Sequence, residues 1–351
     1  MTGATPAPAK SASPAADTSF TITGVLFGVA AISPANAWAV GCSGACGKGG
    51  KTLILHWNGA KWSQVTSPKP VYGTIDGLAA VSADNVWAVG ETTTSTGADD
   101  KTLMMHWNGK AWTRAPGVPV LSGSLGSVSV SGNSGWAIGG TSGLYVPLVM
   151  RLISNHWYVV PTEAPGDSIL YGIAVAGGSM AWADGNTWSG GHDHGLVLRW
   201  NGVVWKPVTT PLHGPNNVLT GLAVGPAGAV WAVGYDYNST FTAYTATSML
   251  WNGKTWRSVS VGSLRESSFL HNVAFVPGGT AWAIGYAGPS AVILRWTGHA
   301  WIQVPNPDDE TLSVLARVAA TSPSNAWAVG YASPGSQPQT LILHWNGKTW
   351  S

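Results

Sequence analysis

Short apolar runs recur along this chain at a nearly constant distance. Each run ends in tryptophan, alanine, usually an aliphatic residue, and glycine, as in SPANAWAVG, SADNVWAVG and SPSNAWAVG. A second apolar run opens about twelve residues before each of these tryptophans. A spacing of 45 to 51 residues between copies indicates an internal repeat, present seven times. The seven marker tryptophans are Trp38, Trp87, Trp136, Trp182, Trp231, Trp282 and Trp327.

A hairpin pattern follows each marker tryptophan. In TLILHWNGAKWSQV and LVLRWNGVVWKPV, two β-rich runs flank Asn-Gly, and this pair predicts a two-residue type I′ turn. With Asn58 and Gly59 in the turn, Leu55 is expected to face Trp62 across the hairpin. The closing tryptophans of the seven hairpins are Trp62, Trp112, Trp157, Trp205, Trp256, Trp301 and Trp350.

Each copy therefore predicts four short antiparallel strands with apolar residues on both faces. Such a sheet is stable only when neighbouring copies cover both faces, and seven copies can close into a ring. We predict an all-β fold, a seven-bladed β-propeller of four-stranded antiparallel blades over residues 21–351, with an open solenoid as the alternative. Twenty of the 21 tryptophans fall on three recurrent positions and are expected to be structural, which leaves Trp188 off the repeat.

The first 20 residues are rich in Ala, Pro, Ser and Thr and are expected to form a disordered linker. Residues 18–22 at its end are expected to pair with the last blade, whose outermost strand is short; a chain cut short at its end is the alternative. Cys42 and Cys46 form a small disulfide or remain free thiols. The composition favours an extracytoplasmic or secreted protein, although no signal peptide is found.

Charge and hydropathy exclude several classes of partner. The net charge is +2 with no basic run, so binding to nucleic acid is not expected. No apolar stretch reaches the roughly 20 residues that span a bilayer, so we expect no membrane insertion. No phosphate-binding loop appears, no pair of glutamates suits glycoside hydrolysis, and no cofactor is expected.

The repeat resembles a known group of propellers. Gly-Lys-Thr-Trp at residues 253–256 and 347–350 matches the end of an Asp-box, and tryptophan replaces its defining aspartate. The scaffold is similar to sialidase-type (BNR/Asp-box) propellers and to bacterial propellers like the photosystem II assembly factors. The resemblance implies the fold but not sialidase activity, because Arg151, Arg199 and Arg295 share one repeat position and are spread around the ring.

The innermost strands of a propeller line its channel, which defines the first candidate site. Asp76, Tyr171 and His271 directly follow the opening apolar residue of their copies. Arg317 stands two residues after the opening apolar residue of the last copy. Equivalent positions bring these side chains towards one axis. We expect a polar ligand site at the channel mouth; the alternative is a polar lining that binds nothing in particular.

Two loops offer further candidates. Blade four carries Asp184, Trp188, His192 and His194, and the acidic residue with the two histidines would make a weak three-ligand metal set. A solvated glycine-rich loop is the alternative there.

In blade five, Tyr235 and Tyr237 stand among Ser, Thr and Asn, a combination that suits carbohydrate or peptide surfaces. Packing within the loop is the alternative for these two tyrosines.

These patterns predict a non-catalytic binding or interaction module that presents one loop face and the channel mouth to a glycan or protein partner. A lyase or hydrolase with His271, Asp76 and Tyr171 as acid and base groups is the alternative. An assembly or scaffold propeller is the third interpretation. Neither the ligand nor the oligomeric state follows from the sequence.

Overall fold

The computed structural model describes residues 18–46, 49–69, 72–96, 100–142, 146–176, 180–212, 214–264, 267–307 and 312–351. Within these ranges the chain forms twenty-seven β-strands and one short 3₁₀ turn at Pro226–Gly228. Blades one to three contain β1 Gly24–Ser33, β2 Asn36–Ser43, β3 Lys51–Trp57, β4 Trp62–Gln64, β5 Gly73–Ser82, β6 Asn85–Thr92, β7 Lys101–Trp107, β8 Trp112–Arg114, β9 Gly123–Ser131, β10 Ser134–Thr141, β11 Pro147–Ile153 and β12 His156–Val159. Blades four to seven contain β13 Ser168–Ala176, β14 Met180–Ser189, β15 His192–Trp200, β16 Trp205–Pro207, β17 Asn217–Val224, β18 Val230–Tyr237, β19 Tyr244–Trp251, β20 Trp256–Ser258, β21 Ser268–Val276, β22 Thr280–Ala287, β23 Ser290–Trp296, β24 Trp301–Gln303, β25 Ser313–Ser322, β26 Asn325–Ala332 and β27 Gln339–Trp345.

The strands pair in chain order into seven antiparallel sheets. Six of the sheets have four strands each among the described residues. The seventh sheet contains β25, β26 and β27. An isolated bridge between Trp345 and Trp350 takes the place of a full fourth strand. The predicted all-β, seven-bladed propeller is confirmed.

The seven sheets close into a ring. Inner strand β1 packs against β5 of blade two and also against β25 of blade seven, so the first and last blades are neighbours. In a closed ring both faces of every blade are covered by neighbours, and only the short outer strands remain as edges. The alternative of an open solenoid is therefore wrong.

Residues just before the first blade lie along the outer edge of the last one. The Thr340 amide donates to the carbonyl oxygen of Ile22 at 2.9 Å, and the Thr340 hydroxyl donates to the carbonyl of Phe20 at 2.9 Å. The equivalent contact in blade two joins the Thr102 amide to the carbonyl of Leu121, which belongs to the connection into blade three. Residues 1–17 of the predicted linker lie outside the described residues, and a stabilising role for this segment stays a prediction.

Tryptophans fill the interfaces between blades. The marker Trp327 of blade seven packs on Trp57 and Trp62 of blade one, with ring centroids 5.0 and 5.1 Å apart. The same arrangement recurs around the ring, as where Trp182 meets Trp256 of the next blade. All seven marker tryptophans are buried, and the hydrophobic clusters each combine residues of two adjacent blades. The ring is thus held by its interfaces.

One position of each third strand supports the marker tryptophan. The guanidinium carbon of Arg151 lies 5.3 Å from the Trp136 ring, and that of Arg199 lies 5.2 Å from the Trp182 ring. In other blades a histidine takes this place, as where the His56 ring stacks 4.2 Å from a marker tryptophan. These arginines stabilise separate interfaces through cation–π contacts, so they form no common cluster for binding a carboxylate.

The predicted turn register is wrong in the Asn-Gly hairpins, whereas in blade three Ser154 and Asn155 form a two-residue turn with positive φ and Leu152 faces the closing tryptophan. Trp57 pairs with Trp62, so four residues form the loop rather than two. The Asn58 side-chain oxygen accepts hydrogen bonds from the two amides that follow the glycine, including that of Lys61 at 3.0 Å. Of the two expected turn residues only Gly59 has a positive φ, whereas a type I′ turn requires both. The closing tryptophan consequently faces another tryptophan instead of a leucine.

The two cysteines are joined. Cys42 lies on β2 and forms a disulfide with Cys46 in the loop that follows. Of the two possibilities left open by the sequence, the structure has the bonded form.

Candidate functional site

Every inner strand carries one extra residue at the same point. In blade one, Leu26 pairs with Gly41 and Gly28 pairs with Val40, which leaves Phe27 without a cross-strand partner. This β-bulge re-aims its side chain, and the seven copies turn one residue each towards the channel. The bulge residues are Phe27, Asp76, Gly126, Tyr171, Thr220, His271 and Ala316.

The bulge explains the glycine of the Trp-Ala-Val-Gly motif. At Gly90 an added Cβ would overlap the carbonyl oxygen of Thr74, and at Gly330 it would overlap that of Val314. The same overlap recurs at the motif glycines of the other five blades. Only glycine lets the second strand approach the bulged inner strand this closely.

Replacing Gly90 with alanine is therefore expected to lower the free energy of unfolding by about 1 to 3 kcal/mol, because the strands must separate. Urea denaturation measures the change. Gly126→Ala is the control, because a Cβ there meets no atom within 4 Å and should shift stability by less than about 1 kcal/mol. Equal effects of the two substitutions would contradict this account of the motif.

The bulge residues open onto three adjoining cavities of about 450, 550 and 330 Å³ at one end of the channel. Asp76 lines the first two, Tyr171 the first and third, and His271 and Arg317 the last two. The four channel residues that the sequence singled out are thus brought together. We call this region the channel mouth.

Carboxylates gather on the blade-two side of the channel mouth. Burial and, to a smaller extent, the nearby charge of Glu91 raise the pKa of Asp76 to about 7. A hydrogen bond from the Thr74 hydroxyl at 3.1 Å and the charge of Arg317 act in the opposite direction. The pKa of Glu91 is itself raised, first by burial and then by Asp100, which lines the same cavity. Sequence reasoning found only Asp76 of this acidic group.

The buried guanidinium of Arg317 interacts electrostatically with the carboxylates of Asp184 and Asp76. Burial lowers the pKa of Arg317, and the two carboxylates raise it. Burial raises the pKa of Asp184 to about 7, although Arg317 and the amide of Gly172 favour the ionised form. Burial and Arg317 together lower the pKa of His271 to about 4, so the imidazole is neutral at pH 7.

Aromatic rings face the carboxylates from blades five and six. We call Tyr235, Tyr244, Phe269 and Tyr286 the aromatic wall. Phe269 lies at its centre, with ring centroids 4.3 Å from Tyr235, 4.5 Å from Tyr244 and 4.7 Å from Tyr286. All four rings keep partial exposure, and the wall continues to His271, whose ring lies 5.6 Å from Tyr286.

Tyr237, the other predicted aromatic contact, is buried behind the wall. Its hydroxyl donates to the carboxylate of Asp193 at 2.6 Å, and burial together with that carboxylate raises the pKa of Tyr237. Tyr237 therefore positions Asp193 rather than presenting its own face to the channel mouth. The exposed ring of Phe241 stacks on Tyr237 with centroids 4.8 Å apart.

The expected glycine-rich loop of blade four is a hairpin. Strands β14 and β15 extend until Ser189 pairs with His192, and Gly190 and Gly191 form the turn, both with positive φ. Trp188 consequently sits on a strand and remains 47% exposed. The sequence reading failed here because the glycines mark only the turn and not the whole segment.

The weak metal set does not assemble within the described residues. Asp184 is fully buried beside the channel, whereas His192 contacts the amide oxygen of Asn216 at 2.9 Å and His194 contacts the carbonyl of Ser189 at 3.3 Å. No group of three or more His, Cys, Asp or Glu in the described part of the chain is placed to hold a metal ion.

The fold and site define a seven-bladed β-propeller with an asymmetric channel mouth, and comparison with solved structures agrees on the fold. The chain is similar to YCF48 bound to D1 peptide, with 16% identity, a TM-score of 0.57, and coverage of 94% of this chain and 98% of that one. It is also similar to YCF48 from Cyanidioschyzon merolae, with 13% identity, a TM-score of 0.58, and coverage of 91% and 96%. For U3-55K the identity is 9%, the TM-score 0.59, and the coverage 91% and 95%.

These similarities establish the fold alone, including the predicted scaffold resemblance to photosystem II assembly-factor propellers. No protein-family model matches the chain, and no curated protein matches it. The described residues contain no helix of the length and apolarity needed to cross a bilayer.

Proposed function

We propose that this propeller is a non-catalytic binding module that takes an extended peptide segment of a protein partner across the channel mouth. A propeller with structural similarity to an assembly factor is consistent with a scaffold or binding role. The observation that carries the proposal is the division of the mouth between carboxylates from blade two and the aromatic wall from blades five and six.

A divided mouth favours a ligand with two kinds of side chain. Phe269 and Tyr286 offer ring faces to an apolar or aromatic residue, and Asp76 with Glu91 offers acceptors to a basic or donor group. A peptide carries both on one backbone, whereas a neutral glycan leaves the carboxylates without a charged partner. The similar structure of YCF48 bound to D1 peptide supports a peptide ligand for this architecture.

We also propose an extracytoplasmic location. The disulfide between Cys42 and Cys46 supports it, because such bonds persist mainly in oxidising compartments. The low share of charged residues, 9%, is the second supporting feature.

The test is a peptide library screened against the protein, followed by fluorescence polarisation with the best binder. Tyr286→Ala is expected to weaken binding at least tenfold, because aromatic anchors dominate such interfaces. Tyr158→Ala is the matched control: this ring is 52% exposed on the outermost strand of blade three, and its loss should change affinity less than about twofold. Binding to a glycan array without any peptide binder would overturn the proposal.

One observation favours a catalytic role as the second candidate. The pKa of Asp76, about 7, suits a general acid or base at neutral pH, whereas His271 with a pKa of about 4 is a poor proton donor there. Asp76→Asn would then abolish turnover of a substrate while leaving its binding in place, and a purely binding site would show no turnover to lose.

A further inference from the structure

Beside the channel mouth, blade four holds a separate cavity of about 470 Å³. The extended hairpin of β14 and β15 forms one side of it, because Trp188 pairs directly with Asp193 across the two strands. The Trp188 amide donates to the carbonyl of Asp167 at 2.8 Å, which fixes the hairpin against the segment before β13. Asp167, Ile169, Asn186, Trp188 and Asp193 line the cavity.

Asn186 is the unusual residue of this lining. It is 5% exposed, and its side-chain oxygen has no hydrogen-bond partner among the described residues. Its side-chain nitrogen donates to the carboxylate of Asp193. A flipped amide would instead place the Asn186 oxygen against a carboxylate oxygen of Asp193. The orientation of the amide is therefore set by its neighbour, and a buried acceptor is left without a donor. Leaving such a group unsatisfied is unfavourable unless a water molecule or a ligand supplies the donor.

The two aspartates of the cavity are acceptors as well, and the Trp188 indole N–H is its donor. One carboxylate oxygen of Asp193 accepts from Asn186, and the other accepts from the Tyr237 hydroxyl. A carboxylate has about four acceptor sites, so Asp193 can accept further hydrogen bonds. Asp167 adds an exposed carboxylate at the rim. A ligand that satisfies this lining must donate hydrogen bonds, and two acidic residues favour a positive charge. A sugar, which offers donors and acceptors in equal measure, fits less well.

Trp188 narrows the choice among cations. Its indole is 47% exposed at the cavity, and tryptophan is the aromatic side chain that attracts cations best. A guanidinium group is planar, stacks on such a ring and spreads several donors around its edge, while an ammonium group is compact and more strongly hydrated. We infer that this cavity is a recognition pocket for a guanidinium group, supplied by an arginine side chain of the peptide partner. The inference rests on the proposed function for the source of the arginine.

The shared contact with blade five connects the two sites. Tyr237 lies behind the aromatic wall and at the same time holds the Asp193 carboxylate of the cavity. A peptide lying on the wall would reach the cavity with a side chain from a neighbouring position. The structure thus assigns the partner an arginine next to its apolar or aromatic anchor.

The pocket is tested with N-acetyl-arginine methylamide, titrated into the full chain by calorimetry. Saturable binding is expected, and Trp188→Ala should weaken it at least tenfold, with Trp188→Phe in between. Since Trp188 is half exposed, its replacement should leave the fold intact, which circular dichroism checks. Tyr286→Ala at the channel mouth is the matched control and should leave binding of this small probe unchanged.

Three ligand controls decide the chemistry. N-acetyl-citrulline methylamide has the same shape without the charge and is expected not to bind; equal binding would overturn a cation pocket. N-acetyl-lysine methylamide is expected to bind at least fivefold more weakly, and equal or tighter binding would overturn the choice of guanidinium. Binding of a simple methyl glycoside in place of the arginine probe would make the cavity a sugar site.

The outcomes also separate this inference from the proposed function. If library peptides bind at the channel mouth but replacing their arginines and removing Trp188 has no effect, the pocket is refuted and the binding module stands. If the arginine probe binds and depends on Trp188 while no peptide binds, the pocket stands and the proposed function fails.

Discussion

Replacing Asp184 with asparagine is expected to raise the free energy of unfolding at pH 8 by about 3 to 4 kcal/mol. Burial raises the pKa of this carboxyl from 3.8 to about 7, so the ionised form destabilises the folded state. Stability linked to a raised pKa is fully present below pH 3.8 and is lost as the pH rises through 7. The difference between variant and wild type should therefore be near zero at pH 3.5, grow above pH 4 and level off above pH 7.

Urea denaturation of both proteins across this pH range measures the difference. Asp84→Asn, at an exposed position, is the control for the loss of one negative charge and should change stability by less than about 0.5 kcal/mol. Asp184→Val provides a second variant, because six other blades carry Val or Ile at this register position. A variant that is less stable than wild type at pH 8 would show that attraction to Arg317 outweighs the burial of the carboxylate.

Replacing Trp327 with alanine is expected to lower the free energy of unfolding by about 3 to 5 kcal/mol, the usual effect of removing a buried tryptophan. This side chain is fully buried where blade seven packs on Trp57 and Trp62 of blade one. Its loss leaves a cavity at the interface that closes the ring. Denaturation by urea, followed by the fluorescence of the remaining tryptophans, gives the value.

Trp188→Ala is the matched control for this prediction, because it removes the same side chain from an exposed position. About half of the Trp188 side chain stays in contact with water, so its loss should lower the free energy of unfolding by less than half as much. Similar effects at the two positions would contradict the structural role of the marker tryptophans.

The number of blades was predictable because a bulky, buried tryptophan recurs at one position of each copy. Closure followed from the two apolar faces of each sheet, which only neighbouring copies can cover. The hairpin register was not predictable from Asn-Gly alone. Asn58 uses its side chain to accept two backbone amides and keeps a negative φ, so the loop has four residues where the dipeptide suggested two.

The channel residues were found by counting from the opening apolar residue, since equivalent positions of a ring face one axis. The count missed the bulge, whose one mark in the sequence is the motif glycine of the neighbouring strand. It also missed Glu91 and Tyr286, which share with Tyr235 the position four residues after the marker tryptophan. Comparing the residue at this position in all seven copies would have shown the acidic and aromatic sides of the channel mouth.

The β-bulge allows one position to differ from blade to blade. Phe, Asp, Gly, Tyr, Thr, His and Ala all occupy it. The residues that vary at this position are distinct from the buried tryptophans that hold the blades together. Substitutions at the seven bulge positions should therefore change the lining of the channel while leaving the interfaces between blades intact.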